Sequence, residues 1–331
     1  MKSAKLFFVL LLSIAVNSAY AHFQMVYTPS SVIPEDASSV EFKLVFTHPF
    51  ESGHTMDIGK DESGAVKGMK EFFAVHKEKR TDLLAGLKEM QFTSNEGTGK
   101  GFNFTLNKES GFRGGGDWVL VAVPHPYYEG SEDIYIQQIT KVMINKGELD
   151  TDWSNRVAEG YPEIIPLVKP YDVWTGGVFR GVVVDGKGEP VPNAEIEFEL
   201  INYDVDMAAN KFTGAAKLEK SGAGIILANA QGVFEFIPPR AGYWGFAALG
   251  AGGEKQFGGK ELSEDAVLWI EAQPMEPAAM AGPVMEAAPA PAETAAPATE
   301  KKSGGSPIAL IAVVAVLAAA VAGFVVMKKK K

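Results

Sequence analysis

Histidines near the start of the chain are the residues best suited to chemistry, and His22 is the first of them. If the chain is cleaved after Ala21, His22 carries a free α-amine beside its imidazole. The amine and Nδ1 can then close a six-membered chelate ring around a metal ion. An α-amine, with a reference pKa of about 7.7–8.0, releases its proton readily when a cation competes for the lone pair. The alternative interpretation is that His22 merely follows a cleavage motif.

Two more histidines lie at the end of a predicted strand and in the loop behind it. His48 follows the alternating apolar residues of 40–46, and His54 comes six residues later, after Gly53. Strand ends and their loops are where a β-sandwich presents ligands. Together with the N-terminal chelate they predict a metal site of His22, His48 and His54, whose nitrogens suit Ni(II) or Co(II), with Cu(II) and Zn(II) also possible. The alternative is an ordinary strand-end histidine followed by an exposed loop histidine.

Two further histidines and one glycine run complete the list of candidate functional residues. All five histidines lie between positions 22 and 125. His125, between two prolines, is either a further ligand, a gate or a loop residue, and His76 is predicted to be solvated. The run Gly114-Gly115-Gly116 precedes a strand instead of leading from a strand into a helix, so it is not a phosphate-binding loop. Since no catalytic constellation has a credible spacing, we expect a binding protein and not an enzyme.

Both ends of the chain carry targeting patterns. Residues 1–21 have a positive start, an apolar stretch and the small-x-small motif Ala19-Tyr20-Ala21, which predicts a signal peptide. Residues 307–327 are a predicted transmembrane helix: twenty apolar residues follow Pro307, and at 1.5 Å each they match a bilayer core of about 30 Å. The four lysines of 328–331 belong on the cytoplasmic side. We therefore expect a single-pass anchor in the cytoplasmic membrane, with the bulk of the chain in the periplasm or outside the cell.

Composition narrows the chemistry of the exported part. The chain has no cysteine, so disulfides and thiolate metal sites are excluded. Of its 31 basic residues, two lie in 1–21 and four in 328–331, which leaves 25 against 41 acidic residues, a net charge of about −16. Such a surface repels nucleic acid and anionic lipid, and it concentrates cations. We therefore expect no nucleic-acid partner.

The exported body predicts an all-β fold. Apolar residues alternate with a period of two in most segments, and turn residues separate these segments. We predict two β-sandwich domains in series, of immunoglobulin or prealbumin type, over 22–170 and 171–271, with a boundary at Pro166 and Pro170. The Ala- and Pro-rich residues 272–306 cannot form a core and predict a disordered linker that can reach on the order of 100 Å. The predicted strands are Val40–Phe46, Trp118–Val123, Ile134–Ile139, Val142–Ile144, Val178–Val184, Ala194–Leu200, Val233–Phe236, Tyr243–Leu249 and Ala266–Ile270.

Several blocks together resemble an exported, nickel- or cobalt-associated family described as the periplasmic component of energy-coupling-factor-type metal transporters. The blocks span nearly the whole body. They are Ala21-His22-Phe23-Gln24-Met25, Phe46-Thr47-His48-Pro49, Gly53-His54-Thr55-Met56, Gly116-Asp117-Trp118, Pro126-Tyr127-Tyr128-Glu129, Ile139-Thr140-Lys141, Glu163 to Tyr171, Val178-Phe179-Arg180-Gly181, Pro190 to Glu195, Ala241 to Leu249 and Ala266-Val267-Leu268-Trp269.

The resemblance implies a two-domain β protein that binds a divalent transition metal, nickel or cobalt, outside the cell and delivers or buffers it for a membrane permease. The resemblance implies that His22 and His48 are metal ligands, and the spacing of His54 adds it as a third. Two alternatives of other classes stay open. One is a copper chaperone or oxidase with an N-terminal histidine brace, and the other is a structural protein that displays sandwich domains on a stalk.

Overall fold

Residues 22–275 are described by the structure, a computed structural model. Strands make up almost all of their regular structure, with a single 3-10 turn at Leu84–Gly86. The predicted all-β class is confirmed. The predicted signal peptide, most of the linker, the membrane span and the lysine tail lie outside the described residues. Among residues 22–275, no helix has the length and apolar character needed to span a membrane.

The first sheet has seven strands and carries the start of the described chain. Its order is β1-β3-β8-β7-β17-β16, and β4 pairs with β3. The strands are β1 (Phe23–Tyr27), β3 (Ser39–Thr47), β4 (Thr55–Met56), β7 (Lys88–Ser94), β8 (Gly97–Asn107), β16 (Asp204–Asp206) and β17 (Lys211–Thr213). β3 is the alternating strand predicted over 40–46, and His48 follows it directly.

The second sheet has twelve strands and forms the centre of the fold. Its main order is β18-β15-β20-β22-β11-β9-β5-β6, while β2 and β10 pair with β11, and β13 and β21 pair with β22. The strands are β2 (Val32–Ile33), β5 (Met69–His76), β6 (Lys79–Asp82), β9 (Gly116–Pro124), β10 (Tyr127–Glu129), β11 (Ile134–Lys146), β13 (Val173–Trp174), β15 (Glu195–Leu200), β18 (Ala223–Leu227), β20 (Gly242–Ala248), β21 (Gln256–Phe257) and β22 (Lys260–Gln273). The two segments predicted at 134–139 and 142–144 are one continuous strand, β11.

A third, three-stranded sheet completes the architecture. Its order is β12 (Glu163–Pro166), β14 (Phe179–Val184) and β19 (Val233–Phe236). Alternate residues of β22 serve two apolar cores: Val267 and Trp269 pack into the core shared with the first sheet, and Leu268 and Ile270 pack into the core shared with the third. The central sheet is therefore covered on both faces, which explains why β22 is apolar on both sides.

The central sheet continues across the predicted domain boundary near residue 170. β11 and β22 pair in parallel from Tyr135 opposite Leu262 to Val142 opposite Trp269. Residues on both sides of position 170 therefore share one sheet and belong to one compact unit. Local periodicity cannot reveal this pairing, because its partners are more than 120 residues apart in sequence.

Two blocks named in the resemblance have structural roles. The Asp117 carboxylate accepts the backbone N–H groups of Thr151, Asp152 and Trp153 at 2.7–3.1 Å, which ties a long loop to β9. Lys141 is buried and pairs with the carboxylate of Glu163 at 2.5 Å. A buried charge pair of this kind needs good geometry to offset the loss of hydration.

Candidate metal centre

The pairing of β1 with β3 brings the first two predicted ligands together. Phe23 lies opposite Thr47 in this antiparallel pair, so the next residues outward, His22 and His48, emerge side by side at one end. Their ring centroids are 4.6 Å apart, with planes inclined by 50°. A shift of one residue in register would turn one of the strands' side chains to the opposite face. The register of this strand pair therefore produces the histidine pair.

Glu129 is a third ligand-type side chain at this point, and the local sequence pattern gave no reason to expect it there. Its Oε2 lies 3.2 Å from Nε2 of His22. Its Oε1 accepts hydrogen bonds from the backbone N–H of Ser131 at 2.9 Å and from the Ser131 hydroxyl at 2.6 Å. One carboxylate oxygen is thus held by the loop, and the other faces the histidines. In the sequence, Glu129 is notable only as the last residue of the block Pro126-Tyr127-Tyr128-Glu129, which gives it no role as a ligand.

Gln138 fixes the start of the described chain at the site. Its Nε2 donates to the carbonyl oxygen of His22 at 2.6 Å, and its Oε1 accepts the backbone N–H of Gln24 at 2.7 Å. The same Nε2 lies 3.3 Å from Oδ2 of the buried Asp265. Since both ends of the amide are engaged, His22 is held in register with β11. Such outer contacts orient ligands in metal sites.

His48 has a ring nitrogen that no hydrogen bond accounts for. Its Nδ1 is buried and has no partner among the described residues. Gly53 packs against the ring, since a Cβ built on Gly53 would lie 3.5 Å from Cγ and 3.6 Å from Cδ2 of His48. Buried polar side-chain atoms in proteins nearly always have a hydrogen-bond partner. Nδ1 of His48 therefore lacks the partner that such an atom normally has, and a bound ligand is one group that could supply it.

Burial keeps both rings uncharged near neutral pH. It lowers the pKa of His48 to about 4, with the neighbouring His22 and His54 adding to the effect and Glu129 opposing it. Burial also lowers the pKa of His22, although Glu129 opposes the shift. For Glu129, burial works against ionisation, but the Ser131 hydrogen bonds and the two histidines hold its pKa below the ordinary value. Two neutral imidazoles and a carboxylate are in the protonation states that metal binding requires.

The three side chains line one end of an acidic cleft of about 590 Å³. Among the described residues that line it, no lysine or arginine occurs. The cleft contains three histidines and six acidic side chains, namely Glu51, Glu96, Glu129, Glu132, Glu197 and Asp265. A cleft lined by one sign of charge attracts counter-ions.

Three glutamates alternate along β15, and they are exposed to different degrees. Glu195 is exposed, Glu197 lines the cleft, and Glu199 is buried and accepts the backbone N–H of Phe50 at 3.1 Å. Burial raises the pKa of Glu197 to about 7, and the nearby Asp265 and Glu195 contribute to the increase. A cation bound elsewhere in the cleft would therefore also favour ionisation of Glu197.

His54 lines the mouth of the same cleft. Its side chain is 72% exposed, and its Nε2 is 3.8 Å from Oε2 of Glu96. Its carbonyl oxygen accepts the Thr47 hydroxyl at 3.2 Å, which ties the loop to the end of β3. The structure therefore places His54 at the rim, while His22 and His48 lie inside.

The other two histidines are not in this cleft. His125 lines a second cavity, and its backbone N–H donates to Gly68 O at 2.9 Å, so a ligand role beside His22 is not supported. His76 is half-buried and not fully solvated as predicted. It stacks on Trp118 at 4.1 Å, and its Nδ1 lies 2.8 Å from Asp117 O.

The cleft is not organised as a closed metal cage. Within residues 22–275, no group of three or more His, Asp or Glu side chains is arranged to hold an ion. In the uncleaved chain the nitrogen of His22 is an amide bonded to Ala21 and cannot act as an amine ligand. The residues present nevertheless fit a nitrogen- and oxygen-binding metal, because two neutral imidazoles and one ionised carboxylate converge.

The low pKa of His48 predicts a pH-dependent stability. The unfolded chain takes up a proton near pH 6.5, whereas folded His48 does so near pH 4, so stability is lost as pH falls between these values. We expect the stability advantage of the wild type over His48→Asn to fall by about 2–3 kcal/mol between pH 7 and pH 4.5. Urea unfolding of both proteins at the two pH values measures it. An advantage independent of pH would contradict the burial of this ring.

A family model described as "Domain of unknown function (DUF4198)" matches residues 19–252. The chain belongs to this family. No curated protein matches the chain.

Three solved structures illustrate the likeness to other proteins. The D0-D1 domain of intimin is 7% identical over 75% of this chain and 97% of that one, with a TM-score of 0.18. The E. coli alpha-2-macroglobulin is 10% identical over 76% of this chain and 14% of that one, with a TM-score of 0.18. A DUF3823 family protein from Bacteroides uniformis is 10% identical over 66% of this chain and 98% of that one, with a TM-score of 0.19. At such TM-scores these likenesses carry no argument about function.

Proposed function

We propose that this member of the DUF4198 family binds one nickel or cobalt ion in the acidic cleft and buffers or delivers it for a membrane transporter. His22 and His48 provide imidazole nitrogens, Glu129 provides a carboxylate oxygen, and the α-amine freed by cleavage after Ala21 provides a further nitrogen. The observation that carries the proposal is the pair of neutral histidine rings 4.6 Å apart, one of which has a buried nitrogen without a partner among the described residues.

The proposed ligand set selects a class of metal. Imidazole and amine nitrogens with one carboxylate suit late first-row divalent ions, whereas Ca²⁺ and Mg²⁺ prefer oxygen ligands alone. Zinc also fits, and copper is expected to bind tightly in vitro because it stands highest in the affinity order. Nickel or cobalt rests on the resemblance of the sequence blocks, so competition among these metals is part of the test.

A delivery role is supported by the openness of the site. His54 and Glu96 at the rim are 72% and 60% exposed and lie where an ion would first meet the protein. Behind this rim the side chains of His22 and Glu129 keep 22% and 13% of their surface exposed, so the inner ligands remain connected to solvent. With the predicted signal peptide and membrane anchor, the domain would work outside the cytoplasmic membrane, close to a permease. No catalytic step is proposed.

A copper protein with a histidine brace is the second candidate, and the same His22 and His48 pair favours it. In such a site the amine and Nδ1 of an N-terminal histidine and a second imidazole bind copper. Reduction and reoxidation of the copper-loaded protein, or its reaction with oxygen, would favour this function over delivery of nickel. Absence of stoichiometric binding of any of these metals would favour a structural display protein.

The site is tested by titrating Ni(II) into the processed wild type and three variants by calorimetry. His22→Ala and His48→Ala should each weaken binding by about tenfold or more, since the loss of one ligand costs at least about 1.4 kcal/mol. His54→Ala, at the exposed rim, is the matched control and should weaken binding by less than about threefold, within about 0.7 kcal/mol.

The pattern across the variants decides the outcome. Unchanged affinity in both His22→Ala and His48→Ala would refute the proposed ligands. A loss in His54→Ala as large as in the other two would make His54 an inner ligand and would require the loop to move inward. Circular dichroism of each variant shows that a loss of binding is not a loss of fold.

A further inference from the structure

The paired strands β11 and β22 present a glutamine and an acidic residue on each face of the central sheet. Gln138 lies opposite Asp265, and both line the metal cleft. Gln137 lies opposite Glu264, and both line a second cavity of about 840 Å³. Since neighbouring residues of a strand point to opposite faces, the two cavities lie on opposite sides of the sheet. Among the described residues, none lines both cavities.

The two carboxylates differ in how well the protein satisfies them. Asp265 accepts the Gly250 N–H at 2.8 Å and the Ser263 hydroxyl at 2.5 Å, and it also contacts Gln138. Glu264 is only 5% exposed, but its Oε2 has a single long contact, 3.4 Å from the Glu254 backbone N–H. Within the described chain, Oε1 of Glu264 has no hydrogen-bond partner, and no lysine or arginine forms an ion pair with it.

Keeping such a carboxylate ionised costs free energy unless a partner pairs with it. Burial raises the pKa of Glu264, so ionising it in the folded protein is unfavourable. Buried charges in proteins are normally paired or bound to a ligand. Asp265 on the other face meets that rule through the protein itself, whereas the second oxygen of Glu264 is left to pair with water or a ligand in the cavity.

The lysines that act on Glu264 are Lys70 and Lys255, which lower its pKa less than burial raises it, and neither forms an ion pair with it. Lys255 lies outside the cavity lining and donates to Gly250 O at 2.6 Å. Lys67 pairs with Asp61 at 3.0 Å, and Lys70 lies over the Tyr161 ring at 5.3 Å. The cavity lining therefore holds five carboxylates against these two ammonium groups. The carboxylates are Asp61, Glu71, Glu159, Glu254 and Glu264. A ligand that enters this cavity is expected to be a cation.

The size and walls of the cavity point to an organic cation. A volume of about 840 Å³ lies in the range of cavities that hold small molecules and far exceeds that of one ion. Ammonium groups bind favourably on aromatic rings, as Lys70 does over Tyr161. Phe257 supplies a further ring in the cavity lining, and Tyr161 completes the aromatic surface. Gln137 donates its Nε2 to Pro124 O at 2.7 Å, which leaves its side-chain oxygen as an acceptor for an N–H group.

We propose that this second cavity binds an organic ammonium compound, with Glu264 as its counter-ion, Gln137 as a hydrogen-bond acceptor, and Tyr161 and Phe257 as its walls. The proposal is independent of the metal site, because the ligands of the metal lie on the other face of the sheet. It assigns a small primary amine, aliphatic or aromatic, as the chemical class of the ligand.

The test compares an amine with a neutral molecule of the same shape on the processed full-length chain. Phenethylamine and 2-phenylethanol are titrated by ligand-observed NMR and calorimetry, with 1,5-diaminopentane as an aliphatic amine. We expect phenethylamine or the diamine to bind at least about tenfold more tightly than the alcohol, and Glu264→Gln to remove at least that factor, about 1.4 kcal/mol. Glu41→Gln, the same substitution at an exposed strand position outside both cavities, should leave amine binding unchanged.

Every result of this comparison bears on the proposal. Equal binding of amine and alcohol, unchanged amine binding in Glu264→Gln, or no amine binding at millimolar concentration would overturn it. Tight binding of Ca²⁺ that depends on Glu264 and excludes the amines would overturn the organic ligand in favour of an ion. The comparison of amine with alcohol on the wild type needs no variant, so it stands even if a variant folds poorly. A parallel Ni(II) titration of the wild type separates this outcome from that of the metal site.

Discussion

Adding one glycine in front of His22 is expected to weaken nickel binding at pH 7 by about a hundredfold or more, about 2.7 kcal/mol. The extension moves the free amine one residue away and leaves a peptide nitrogen in its place. Both the amine ligand and the chelate ring it forms with the imidazole are then lost, while the rings of His22 and His48 stay where the β1–β3 register holds them. Calorimetric titration of the extended and the processed chains measures the difference.

The matched control is the extended protein after proteolytic removal of the added glycine. Its affinity should return to that of the processed chain, which shows that the amine, and not a change in folding, accounts for the loss. Equal affinity with and without the extra residue would mean that the amine is not a ligand. The imidazoles and Glu129 would then be the whole inner set.

Lowering the pH from 8 to 5 is expected to weaken nickel binding by about several hundredfold. The metal must displace the proton of the α-amine, whose reference pKa is about 7.7–8.0, so affinity falls about tenfold for each pH unit below that value. His48 adds nothing over most of this range, because burial lowers its pKa to about 4 and the ring stays neutral. Burial lowers the pKa of His22 as well, so the amine is the group that titrates first.

The extended chain separates the amine from the rings in this pH profile. Without a free amine at His22, nickel affinity should fall much less between pH 8 and pH 6, through the titration of Glu197 alone, and decline further as the imidazoles begin to take up protons. A profile for the processed chain that is flat over the same range would indicate carboxylate ligands, such as Glu129, without the amine. A steep profile in both chains would assign the titration to the cleft itself, where Glu197 has a pKa of about 7.

Part of the candidate site could be predicted from the sequence because it depends on local features. The motif before His22 and the strand before His48 are each visible in a short window, and their residue types name the chemistry. Glu129 could not be found in this way. It reaches His22 across more than a hundred residues, through the pairing of β10 with β11 and the hold of Gln138 on the chain start. His54 shows the complementary case: spacing predicted it as a ligand beside the other two, and the structure adds that its side chain lies at the exposed rim of the same cleft.

The same division holds for the fold. The all-β class and the positions of many strands follow from the order of residues alone, because alternation with a period of two is a property of each strand by itself. The parallel pairing of β11 with β22, which joins both halves of the body in one sheet, is visible only in three dimensions. That pairing depends on which apolar faces find one another in space, and strand periodicity is the same for any partner. For the same reason, only the folded chain distinguishes Asp265, which the protein satisfies, from its neighbour Glu264, which faces the other side of the sheet.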